Sequence, residues 1–309
     1  MAFLVKQPAG PRSLLLSPHM VGRSRLSDLR MSEPTVSNEH AVIRWGGRAW
    51  ELHDLGSRNG TYLDGRRLPA GERVALARGA MIAFGQPDNA WQLVDDAPPS
   101  VVALPSAGDQ QLGARSGLLA LPSEDNPEMV VYRNAAGDWI AEQNGDASRI
   151  KDGATVHVAG ADYTLRVPDL TSQTWDSLAP ILTLGTMTAR FEVSRDEEYI
   201  ALSMRDGRQV LDLGARAHHV VLLCLARSRL EDRGRPAAEP LPESAEGWVY
   251  QDELASKLAI DETHLNVAVF RCRKQLAEAG IVDAASIIER RRPTREVRLG
   301  MARIEIVTV

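Results

Sequence analysis

Three turn-borne clusters near the start of the 309-residue chain constrain it more than any other feature: Gly22-Arg23-Ser24, Ser37-Asn38-Glu39-His40 and Ser57-Arg58-Asn59-Gly60-Thr61. Glycine and asparagine suit tight turns. Short apolar runs of strand length surround them: Ser13-Leu14-Leu15-Leu16, Ala41-Val42-Ile43-Arg44-Trp45, Ala49-Trp50-Glu51-Leu52, Thr61-Tyr62-Leu63 and Met81-Ile82-Ala83-Phe84. Gly46-Gly47, Asp64-Gly65, Gly71 and Pro87-Asp88-Asn89 punctuate them. Regular turn signals without a helical period predict an all-β sandwich over residues 12–96. Such a scaffold would hold all three clusters on loops at one end. A phosphorylated side chain brings nearly two negative charges and three acceptor oxygens. Its receptor needs guanidinium forks, hydroxyls and amides, and Arg23, Ser37 and Arg58 offer those groups.

In this order and spacing the clusters resemble the forkhead-associated (FHA) domain, a β-sandwich that reads phosphothreonine in partner proteins. The resemblance implies a phosphopeptide site of Arg23, Ser24, Ser37, Asn38, Arg58 and Asn59. Arg23, Ser37 and Arg58 would hold the phosphate, Asn38 would offer its backbone amide, and Asn59 would bond the peptide backbone. Gly22, His40, Gly60 and Thr61 would be structural, with His40 ordering its loop. The implied partner is a phosphothreonine-containing protein, either a Ser/Thr kinase or its substrate.

The length fits two or three domains. A hydrophobic content of 44% and a charged content of 25% are ordinary for a soluble protein. No run approaches a membrane span, and Pro8, Gly10 and Pro11 interrupt anything resembling a signal peptide. Two cysteines, Cys224 and Cys272, each in an apolar helical pattern, exclude a disulfide framework and indicate a cytoplasmic protein. Nothing suggests an enzyme, cofactor or metal. His218-His219 has no cysteine or carboxylate at ligand spacing and reads as a packing feature. No Gly-rich loop runs into Lys-Ser or Lys-Thr, and no serine sits in a Gly-x-Ser-x-Gly elbow.

The expected architecture is multidomain: an FHA sandwich over 1–96, a linker plus β-rich segment over 97–170, a connector over 171–188 and an α+β domain over 189–309. Residues 95–111 read as linker, rich in Pro, Ser and Ala. Beyond it, Glu128–Arg133, a Gly137 turn and Asp138–Glu142 echo Glu39–Trp45, Gly46-Gly47 and Ala49–Leu52. Residues 152–156 and 163–165 likewise echo 78–82 and 91–93. This is either a degenerate copy of the first sheet, without its phosphate donors, or the general likeness of hairpins. The connector holds Thr171, Thr174, Thr183, Thr186 and Thr188, either phosphorylatable ligands in cis or plain linker residues.

After residue 189 three short strands, at 191–193, 199–202 and 209–213, precede a helix over 216–230 with Val220, Leu223 and Ala226 at helical spacing. A polar loop over 231–247 follows. A second helix covers 250–258, with Asp252 and Glu253 in its first turn. A third is capped by Asp261 and closed by Gly280. Residues 286–291 and 295–299 form a hairpin. This order resembles the OmpR-type winged helix-turn-helix, a DNA-binding domain. Leu265, Val269, Cys272 and Leu276 would face its core. Thr263, His264, Asn266, Arg271, Arg273 and Lys274 on the recognition helix, and Arg290, Arg291, Arg292 and Arg295 on the wing, would meet double-stranded DNA. Residues 271–303 hold nine Lys or Arg against four acids, inside a chain of net charge −5. Two departures count against that face. The wing lacks a Gly-rich aromatic end, and the 231–247 loop carries Glu231, Asp232, Glu239, Glu243 and Glu246, which would repel DNA. The reading is a phosphorylation-responsive transcriptional regulator. Its rival is a signalling adaptor whose winged helix binds protein.

Overall fold

The computed structural model describes residues 2–69, 71–107, 111–134, 136–168, 182–207, 209–235, 241–291 and 294–309. Thr171, Thr174, Glu239 and Arg292 lie outside the described residues. The chain divides into two compact units. Unit 1 is residues 1–102 with the described stretch 166–168; unit 2 is residues 103–165 with the rest of the C-terminal half.

Unit 1 contains a six-stranded and a five-stranded sheet. The first runs in the order Arg12–Leu14, Phe3–Lys6, Ala90–Asp95, Met81–Phe84, Thr61–Leu63, Arg66–Arg67. The second runs Leu29–Arg30, His19–Gly22, Ala41–Trp45, Trp50–Asp54, Arg73–Leu76. Period-2 alternation is plain in Trp50–Asp54, where Trp50, Leu52 and Asp54 are buried and Glu51 and His53 less so. The core joins Leu4, Val21, Ile43, Trp50, Leu52, Ile82, Phe84 and Leu93. Residues 3–6, 19–22 and 73–76, which carry no strand in the sequence reading, are strands here. Phe3–Lys6 pairs with both Arg12–Leu14 and Ala90–Asp95.

Unit 2 holds a four-stranded antiparallel meander, Leu119–Pro122, Pro127–Arg133, Trp139–Gln143 and Asp146–Arg149. A second four-stranded sheet orders Leu112–Gly113, Val102–Pro105, Ala161–Arg166 and Ala154–Val158. The supposed linker therefore contains a strand, because Val101, Val102 and Ala103 are apolar enough to be buried. The antiparallel strands Thr188–Val193, Ile200–Arg205 and Val210–Ala215 lead to three helices: α1 (His219–Arg233), α2 (Gln251–Lys257) and α3 (Glu262–Glu278). A three-stranded sheet orders Val249–Tyr250, Glu296–Leu299 and Ile288–Arg291. Ile304–Thr308 returns in parallel beside Thr188–Val193, a long-range pairing that no local pattern announces.

Asp261 caps α3, its side chain accepting from the His264 backbone N–H at 2.8 Å. Gly280 follows with φ +88°, a backbone state that favours glycine. Leu265, Val269, Cys272 and Leu276 enter the core of unit 2 with Leu222, Leu225 and Leu254. Helix α1 lies three residues later than expected at both ends. Among the described residues no helix is long and apolar enough to cross a membrane.

Candidate functional site

The three clusters of unit 1 are brought together by backbone hydrogen bonds. Arg23 N–H donates to the Ser37 carbonyl at 3.0 Å, and Ser24 N–H donates to the Asn38 carbonyl at 3.1 Å. Gly22 permits this approach, since an added Cβ would fall on the Asn38 carbonyl oxygen. The third cluster joins through Ser37, whose Oγ accepts from the Arg58 backbone N–H at 3.1 Å. The Ser24 Oγ accepts from Leu26 N–H at 3.2 Å and tightens the 23–27 turn.

Beneath the loops His40 is fully buried. Its Nδ1 accepts from Ser37 N–H at 3.0 Å, so the ring proton sits on Nε2, which donates to the Gly60 carbonyl at 3.2 Å. Phe84 meets the ring edge-on. Burial, outweighing the Gly60 bond and the nearby Asp54 carboxylate, lowers the histidine pKa and keeps it neutral.

Sequence reasoning passed over Asp54. Its Oδ1 accepts from the Gly56 and Ser57 N–H groups, each at 2.9 Å, and its Oδ2 from Ser57 Oγ at 2.7 Å and Thr61 Oγ1 at 2.6 Å. Burial would raise this carboxyl, but the donors from Ser57 and Thr61 hold it below its usual range. Gly60 N–H then donates to Ser57 Oγ at 3.0 Å. The Asp-x-x-Ser spacing, an Asx-turn signal, was the clue in the sequence. Gly85 was also passed over. It stands at φ +78° against the Thr35 carbonyl, which also accepts from Asn59 Nδ2 at 2.7 Å. Asn59 thus has one N–H engaged in tying its loop to Thr35, and among the described residues its second N–H and Oδ1 have no partner.

At the surface of this braced backbone stand Arg23 and Arg58, both exposed. Arg23 Nε donates to the Val36 carbonyl at 2.6 Å, which orients its guanidinium. Among the described residues neither arginine has a carboxylate partner, and the Asn38 N–H makes no hydrogen bond. Two open guanidinium groups, a serine and an unengaged amide form a concentrated set of anion donors.

The α3 face of unit 2 differs from expectation. Arg273, assigned to DNA, is 1% exposed and makes a bidentate pair with Glu142 of the meander at 3.1 and 3.0 Å. It also donates to the Ile288 carbonyl and lies 4.9 Å from the Tyr132 ring centroid. Arg290, assigned to the wing, is 6% exposed and pairs with Glu142 at 2.8 Å. Tyr132 Oη donates to the same carboxylate at 3.0 Å. Burial alone would raise the Glu142 pKa; Arg273 and then Arg290 outweigh it and bring it to about 2. Lys274 meets Glu124 at 2.5 Å. The pairing of Arg273 was not legible in the sequence, because the core stripe does not say which of its bordering residues are covered and the partner lies in another sheet.

The remaining assigned residues divide. Thr263, His264 and Arg271 are exposed, and Asn266 is half-buried beside the meander. Arg291 stacks over Trp248 at 4.0 Å and pairs with Glu296. Arg295 is exposed and pairs with Glu262 at 2.7 Å. The acidic loop is partly turned inward, since buried Glu246 pairs with Arg233 and Arg229. His218 and His219 both hydrogen-bond to Gln275 Oε1, at 2.9 and 2.8 Å. Among the described residues no group of histidine, cysteine and acid could hold a metal.

The FHA-domain family model matches residues 19–85. FhaB, an FHA domain-containing protein of Mycobacterium tuberculosis, is 37% identical over 59 residues, 19% of this chain and 38% of FhaB. The glycogen accumulation regulator GarA of Mycolicibacterium smegmatis is 39% identical over 79 residues, 25% of this chain and 48% of GarA. The chain therefore spans less than half the length of either relative. A solved structure of Mycobacterium tuberculosis EmbR with a low-affinity phosphopeptide is 26% identical, covering 31% of this chain and 25% of that one, at a TM-score of 0.28. The matched residues are the ones that build the loop cradle of unit 1: this chain contains an FHA domain.

Proposed function

We propose that the protein is a non-enzymatic, cytoplasmic component of Ser/Thr-kinase signalling that captures a phosphothreonine-containing protein through its FHA domain. One observation carries this reading. Arg23 and Arg58 stand exposed, without carboxylate partners among the described residues, over loops that His40, Asp54 and Gly22 hold in place. A dianion at that point would gain charge-assisted bonds from groups already positioned. Calorimetry with matched phosphothreonine, phosphoserine and unphosphorylated peptides tests it. Binding of the first alone supports the reading, and equal binding of the unphosphorylated peptide ends it.

For the effector end we propose an OmpR-type winged helix acting on double-stranded DNA. The support is the order of strands, three helices and hairpin, with Thr263, His264 and Arg271 exposed on a capped α3. The adaptor reading has its own support in Arg273 and Arg290, which are neutralised inside the protein. A gel shift with random duplex at low and high salt separates them, because phosphate contacts give a steep salt slope.

A further inference from the structure

The meander docks on α3 through two kinds of contact. Leu118, Ala120, Val130 and Tyr132 form a small apolar cluster with Phe270 and Ala285. Around it, acids of the meander side meet bases of the helix side: Glu142 with Arg273 and Arg290, Glu124 with Lys274. Arg273 borders the core stripe of α3, one turn on from Val269, whereas Phe270 and Lys274 stand progressively farther round the helix. The meander therefore covers one flank of α3, from Arg273 to Lys274.

The chemistry of this seam is unusual for a permanent junction. Burying charges costs several kcal/mol per ion, and apolar residues of similar volume generally serve as well. A charged seam makes sense where both faces must also be soluble when apart. A small cleft beside it is lined by Glu128, Glu142, Asn144, Asn266, Arg273 and Arg290. Glu142 offers Arg273 the planar two-oxygen geometry that a backbone phosphate would offer.

From these contacts we infer that the meander of residues 119–149 is an internal competitor for nucleic acid, with Glu142 and Glu124 occupying on α3 the cation sites of two DNA phosphates. The inference rests on the DNA reading of unit 2. In the closed form seen here, Arg273, Lys274 and Arg290 are withheld from DNA, and the duplex reaches them only when the meander leaves.

The test is Glu142→Gln in the full chain. Affinity for a fluorescent random-sequence duplex is measured at two salt concentrations, together with amide exchange of residues 262–278. The expected result is faster exchange in α3, at least tenfold tighter duplex binding, and a salt slope steeper by about one unit for each additional phosphate neutralised. If wild type and variant bind duplex equally tightly, the competitor is overturned while the DNA reading survives. If α3 exchanges faster in the variant and neither protein binds duplex, both fall, and the phosphothreonine reading is untouched. Should Glu142→Gln fail to fold, Glu124→Gln at the half-exposed rim replaces it. There a rise of a few-fold in affinity supports the inference, and unchanged affinity overturns it.

Discussion

Two sets of arginines in this chain are treated in opposite ways. Arg23 and Arg58 stand exposed on loops with no carboxylate partner among the described residues. Arg273 and Arg290 share one buried carboxylate, Glu142. A charge count over the sequence weighs all four alike. The structure separates them because neutralisation depends on a residue 131 positions away. An open guanidinium on a braced backbone can receive a ligand, whereas a closed one must first release its own.

The comparison breaks or sharpens under four perturbations. Glu142→Ala should have the largest effect, since it leaves Arg273 and Arg290 buried without their anion. We expect a loss of about 3–5 kcal/mol in urea unfolding. A loss below about 1 kcal/mol would mean that the arginines find other acceptors and that the closed set is not truly closed.

Arg23→Ala should leave unfolding nearly unchanged while weakening a phosphothreonine peptide by about 1.5–3 kcal/mol, at least tenfold. Equal affinity of mutant and wild type in calorimetry would remove the open set from the phosphate site.

Acidification tests the bracing. Burial lowers the pKa of His40, and that of His19 to about 4. The unfolded chain therefore takes up these protons first, near pH 6.5. Their contribution to stability is full above that pH and declines below it, by about 1.4 kcal/mol per pH unit for each proton. The decline from His19 ends near pH 4. His218 and His219 act with the same sign in unit 2, whereas Glu142 gives up its contribution only below about pH 4.5. Denaturant midpoints at pH 7.5, 6.5 and 5.5 should fall in that order. A flat profile would show that the histidines take up protons in the fold as readily as in the unfolded chain.

The smallest change is expected from Glu124→Gln, which removes a half-exposed pair with Lys274. It should cost less than about 1 kcal/mol of stability. A larger loss in thermal unfolding would make the rim, rather than Glu142, the main hold of the meander.

Local signals carried most of what was legible in the sequence. Turn residues and two-residue periodicity located the strands at 41–45, 61–63 and 81–84, and Asp261 with Gly280 bounded α3. Partnership across the chain was not legible. Ile304–Thr308 finds a parallel neighbour more than a hundred residues earlier. Glu142 lies in a strand whose pattern says only that it is β. At the candidate site the donors were legible because turn chemistry concentrates them in short motifs. Their supports, Asp54, Gly85 and Thr35, were not, since each is ordinary until the loops meet.

The imidazole of His40 spans Ser37 N–H on one side and the Gly60 carbonyl on the other. The aperture between two of the three loops is therefore gauged by the width of a single buried aromatic ring. Substitutions around the rim can retune charge and peptide preference without altering that gauge. A residue of different reach at position 40 would reset the opening for every ligand at once, and no change at the rim would restore it.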